Sequence, residues 1–119
     1  MEGMAAEWIA CGKMFIQADV IRWNEGVWHK PRGRRGRTVN IGERLVIAEV
    51  IRDEAEWVDV LIRGCNVVSE KPGRKVVPLL KGQEVRRKRR TIERGKPERL
   101  LWSDESARAL VVSKFLAGR

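Results

Sequence analysis

The chain has no tyrosine, one histidine and two cysteines among its 119 residues. That scarcity limits its chemistry before anything else is read. His29 would have to serve any Ser-His-Asp or Cys-His site, and no Ser or Cys stands in a nucleophile context such as G-x-S-x-G. Cys11, Cys65 and His29 are the soft metal-ligand candidates, and without a C-x-x-C pairing they give no zinc pattern. Neither the phosphate-cradling G-x-x-x-x-G-K-[ST] nor a strand-following G-x-G-x-x-G occurs. No metal and no cofactor is therefore expected.

Long apolar runs are missing too. Nothing approaches the roughly 20 residues of a membrane-spanning helix, so no membrane partner is expected. The opening MEGMAAEWIACGKMF carries Glu2 and Glu7 and no basic segment ahead of an apolar core, which argues against a secretory signal. Two cysteines far apart in such a chain read as free thiols rather than a disulfide. The cytoplasm is the expected location.

What is present is a core-forming apolar fraction of 43% beside 34% charged residues, with 25 Lys and Arg against 16 Asp and Glu. One domain spanning 1–119 is expected. The net charge of +9 predicts attraction to nucleic acid, to an anionic membrane surface or to an acidic protein partner.

Along the chain, residues 13–23 (KMFIQADVIRW) alternate at period two, with Met14, Ile16, Ala18 and Val20 on one side, and predict a half-buried strand. Asn24-Glu25-Gly26 reads as a turn. Leu45-Val46-Ile47-Ala48 predicts a strand apolar on both faces, entered through a kink at 40–43. Residues 53–56 (DEAE) read as a hairpin loop leading into WVDVLIRGC, where Val58, Val60 and Ile62 alternate with polar or larger neighbours. Gly64 suggests a bulge. Residues 76–80 (VVPLL) predict an edge strand or an extended connection.

The period changes near the C-terminus. Ser103 as N-cap, acids at 104 and 105, and Ala107, Leu110, Val111 and Phe115 at helical spacing predict a helix over about 104–117 with one face on the sheet. The fold expected is mostly β (α+β): a small antiparallel barrel or curved sheet of SH3-like or OB-like type, closed by that helix. An alternative adds a helix over 2–12.

Two basic clusters carry the functional expectation. Lys30 to Arg37 (KPRGRRGR) holds Arg32, Arg34, Arg35 and Arg37 in a Gly/Pro-rich loop expected to be mobile, beside Trp28, a candidate stacking platform. Residues 84–94 are expected to form an exposed basic ribbon. On a strand, Arg86, Lys88 and Arg90 share one face, and Arg87 and Arg89 the other. Cations on one strand face repeat about every 6.6 Å, close to phosphate spacing. These residues predict a non-enzymatic module that holds RNA or DNA phosphates with little sequence preference. The alternative is a protein-interaction or assembly subunit of a mobile-element or phage accessory kind, homodimeric or bound to an acidic protein. A metal-dependent nuclease using Asp19, Glu49 and Asp59 ranks third.

Overall fold

The computed structural model describes residues 7–30 and 37–117, with side chains through residue 113. Arg32, Arg34 and Arg35 therefore lie outside the described residues, with most of the 30–37 segment.

Six strands build one antiparallel sheet in the order β1-β6-β2-β3-β4-β5. They are β1 (Trp8–Ala10), β2 (Val20–His29), β3 (Val39–Glu54), β4 (Trp57–Glu70), β5 (Glu84–Lys88) and β6 (Glu98–Leu100). Two helices complete the fold, α1 (Arg89–Arg94) and α2 (Glu105–Ala117). The mostly antiparallel sheet with a C-terminal helix is as the sequence predicts. The sheet is open, not a closed barrel.

The long β3–β4 hairpin is the framework. Val46, Ala48 and Val50 of β3 and Val58, Val60 and Ile62 of β4 line one face and are buried with Ile21 and Trp23 of β2. At the hairpin tip Ala55 takes a positive φ of 64°, and its N–H bonds to Asp53 Oδ1, an Asx-type turn. Ladder register slips between Glu43 and Arg44, between Ile47 and Ala48, and between Val50 and Arg52, so bulges bend this hairpin repeatedly. The slip between Ile47 and Ala48 sits beside Gly64, where a bulge was expected.

The degree of curling follows from the path of α1. In a flat sheet three strand spacings, about 14 Å, would separate β5 from β2. A six-residue helix rises only about 9 Å. Yet α1 leaves β5 and ends at Gly95, whose carbonyl accepts the Asn24 N–H of β2 at 3.0 Å. A Cβ on Gly95 would lie 2.1 Å from the Asn24 carbonyl oxygen, so only glycine allows this approach. Helix α1 thus bridges the concave face, buries Ile92 in the core and delivers the chain to β6. Phe15 from the 11–19 loop and Leu79 from the 76–80 connection cover the rest.

Several local expectations are corrected. Residues 13–19 are not strand: Ala18 turns the chain with φ 78°, Phe15 and Ile16 both point inward, and Met14 is exposed. Asn24–Gly26 runs on inside β2, because pairing with Glu43–Leu45 overrides its turn composition. Residues 8–10 form a strand against β6 and not part of a helix over 2–12. Asp104, not Ser103, caps α2: its Oδ1 accepts the N–H groups of Ser106 and Ala107 at 2.9 and 3.2 Å. In the apolar stripe of α2, Leu110 is 65% exposed and Val111 is also open, so these two do not pack on the sheet as expected. Phe115 has no described side chain.

Candidate nucleic-acid interface

The expected ribbon over 84–94 splits in two. Strand geometry stops at Lys88, and Arg89 begins α1, so Arg90 does not share a strand face with Arg86 and Lys88. The edge position is as expected, because β5 pairs only with β4. The charges are not displayed as expected. Arg86 Nη2 bonds Glu54 Oε1 at 2.8 Å, and Arg86 and Lys88 both sit near the Trp57 ring, at 5.4 and 5.5 Å from its centroid. Arg87 points inward beside Val58 to Glu25. Arg89 is held by Asp53 at 2.9 Å, by the carbonyls of Lys13 and Phe15, and over the Phe15 ring at 4.0 Å. Arg90 is exposed and makes no ion pair among the described residues.

Glu25 explains the inward turn of Arg87. It lies on the same face of β2 as Ile21 and Trp23, and only 6% of it is accessible. A buried carboxylate needs charged partners. Arg44, directly opposite on β3, donates from Nε and Nη2 to Oε2 at 3.1 and 2.9 Å. Arg87 donates from Nε to Oε1 at 2.7 Å and from Nη2 to Oε2 at 3.2 Å. Burial alone would raise the Glu25 carboxyl, but Arg87 and then Arg44 outweigh it and hold it below the usual range. Two guanidinium groups share one carboxylate, leaving the cluster cationic.

Glu25, Arg44 and Arg87 line a groove of about 880 Å³. Trp28 and Asn40 stand on one rim, and Thr91, Arg94, Gly95 and Lys96 on the other, brought there by the docking of Gly95 on Asn24. Four cations line it (Arg44, Arg87, Arg94 and Lys96) against the carboxylates of Glu25 and Glu43. Trp28 is 62% exposed, whereas Trp23 is fully buried. The 30–37 segment departs from this same rim, since His29 pairs with Val39 and Trp28 with Asn40. Lys30 and Arg37, at its two ends, are exposed.

The three carboxylates of the nuclease reading have other partners. Asp19 is fully buried and gripped by Arg108 through Nε and Nη2 at 2.9 and 2.8 Å, with Trp102 Nε1 at 2.7 Å. Glu49 pairs with Arg63, and Asp59 with Arg52 and Arg86. Among the described residues no three His, Cys, Asp or Glu side chains group as a metal would need. Cys11 and Cys65 are both unpaired. Burial, then the charge of Asp19, pushes the Cys11 thiol up to about 11, which leaves it protonated near neutrality. No helix among the described residues is long and apolar enough to cross a membrane.

Of the expected site residues that are described, only Trp28 and Arg87 line the groove. Arg44 and Lys96 were missed, and Arg94 entered only as the end of the expected ribbon, without a role in the site. The signal for two of them was the sequence Arg94-Gly95-Lys96, where a glycine between cations lets the backbone approach another strand. Glu25 offered a further sign, as the one acid at alternate positions otherwise held by Ile21, Trp23 and Val27. No protein-family model, curated protein or solved structure matches the chain, so the functional reading stands on the chemistry of these residues.

Proposed function

We propose that the chain is a non-enzymatic nucleic-acid-binding module that holds RNA or DNA chiefly through phosphates, in the groove beside Trp28. The observation that carries this reading is an exposed tryptophan lining the same groove as four cations, Arg44, Arg87, Arg94 and Lys96. Cations supply sequence-independent affinity, and an open aromatic ring supplies a surface on which any base can stack. Lys30 and Arg37, which follow and precede the paired strand ends at His29 and Val39, are exposed and add charge beside Trp28. Little base selectivity is expected, because the lining is mainly cations and one indole. Free thiols, with Cys11 held protonated, suit a reducing compartment such as the cytoplasm.

The test is a salt titration with a labelled oligonucleotide. The double variant Arg94→Ser/Lys96→Ser should weaken binding and reduce the slope of log K against log salt by about 1.4, or about 0.7 for each single-strand phosphate no longer neutralised. An unchanged slope would remove the groove from the reading.

A second reading, assembly with a protein partner or a second copy, draws on exposed apolar residues. Val67, Val68, Val77 and Leu80 cluster in sequence around the β4 end and the 76–80 connection, and β5 leaves one edge unpaired. A dimer mass in light scattering without oligonucleotide affinity would favour it.

A further inference from the structure

We infer that the groove takes an unpaired nucleotide, its base flat against the Trp28 indole and its flanking phosphate at Arg94 and Lys96, so that the chain selects single strands over duplex. This inference rests on the nucleic-acid reading and narrows it to a substrate class.

Trp28 differs from every other tryptophan among the described residues. Trp23 is buried and donates from Nε1 to Glu25. Trp8 has Arg22 over its ring at 4.4 Å, and Trp57 has Arg86 and Lys88 nearby. Trp102 donates to Asp19. Trp28 has neither a cation over its ring nor a side-chain hydrogen bond among the described residues, and it is 62% exposed. An indole left open beside cations is the arrangement that stacks bases.

Gly26 supports that geometry. It precedes Trp28 by two residues on the same face of β2, and a Cβ there would lie 3.2 Å from both Trp28 Nε1 and Asn40 Nδ2. The absent side chain lets the indole lie along the strand toward the groove. A paired base shows only its edges to a protein. Only an unpaired base can offer its face to this ring. The groove volume also falls within the range of small-ligand pockets, about 300–1,000 Å³, and not the scale of a duplex.

The phosphate side is preorganised. Arg44 and Arg87 each commit three N–H groups, to Glu25 and to the carbonyls of Val77 and Arg86 respectively. A guanidinium carries about five such groups, so each retains about two. Those held cations line the same groove as the exposed Arg94 and Lys96 and keep it attractive to an anion without rearrangement.

The experiment measures fluorescence anisotropy for a labelled single strand of about 12 nucleotides, within the span one such site covers, and for its duplex, at about 50 mM salt. Wild type should prefer the single strand. Trp28→Ala should weaken single-strand binding about fivefold or more and leave duplex binding nearly unchanged, while Trp28→Phe should retain most of the single-strand affinity. Equal or tighter duplex binding, or a Trp28→Ala variant that binds the single strand like wild type, would overturn the inference and leave phosphate binding intact. Binding to neither form would overturn the proposed function as well. Trp28 is exposed, so these variants do not threaten the fold.

Discussion

Two sets of basic residues differ in what surrounds them. Arg44, Arg87, Arg89 and Arg108 face inward and end on Glu25, Asp53 or Asp19, while Arg90, Arg94 and Lys96 stay open to solvent. The densest basic run in the chain contributes mostly to the first set or to surface ion pairs. The difference teaches that charge density along a sequence is a poor guide to charge offered to a partner. A cation opposite a buried carboxylate belongs to the fold.

The sharpest way to break this comparison is Arg108→Met. It would leave the Asp19 side chain buried with only the Trp102 indole and the Ile16 N–H as hydrogen-bond partners. Breaking a buried pair costs about 3–5 kcal/mol, and chemical denaturation should show a loss of that order. Gly95→Ala comes next. Its Cβ would collide with the Asn24 backbone, so a destabilisation of about 1–3 kcal/mol is expected from forced overpacking. Because Gly95 sets the far rim of the groove, oligonucleotide affinity should fall in the same variant. Arg87→Met keeps Arg44 on Glu25 and should cost about 1–3 kcal/mol as a lost charged hydrogen-bond pair. Arg86→Ser, one residue earlier in the same run, should cost less than about 1 kcal/mol, since its pair with Glu54 is exposed and Asp59 keeps Arg52 as a partner. Equal effects at 86 and 87 would erase the distinction between the two sets.

The smallest expected effect concerns pH. Glu105 is held at about 2, first by hydrogen bonding to Arg99 and then by the Trp102 N–H, against an ordinary 4.5. A lowered carboxylate contributes stability above its unfolded value and loses it as pH falls through the folded one. The start of α2 should therefore loosen progressively between pH 4.5 and about 2, with no change between pH 5 and 8. Backbone amide exchange across residues 102–108 checks this.

The β3–β4 hairpin was legible because Val58, Val60 and Ile62 repeat at the strand period and residues 53–56 carry turn chemistry. Helix α2 was legible from its acids and apolar spacing, though its stripe proved exposed because Arg108 and Glu105, not Leu110, fasten it. The 13–19 segment misled because apolar alternation there meets a positive φ at Ala18 that no composition rule signals. The groove was hidden for a different reason. It joins β2, β3, β5 and the end of α1, and the pairing of Glu25 with Arg44 and Arg87 spans 19 and 62 residues of sequence. Period and composition see neighbours along the chain. They do not see which buried acid a distant arginine will meet.

The most direct test compares two triple variants in the same salt titration with a single-stranded oligonucleotide. Trp28→Ala/Arg94→Ser/Lys96→Ser alters the groove rim, and Arg86→Ser/Lys88→Ser/Arg90→Ser removes more of the charge that the sequence displays. The groove variant should lose most of its affinity and flatten the salt slope, while the β5 variant should stay within a few-fold of wild type. The reverse order, with the β5 variant failing and the groove variant binding normally, would contradict the account.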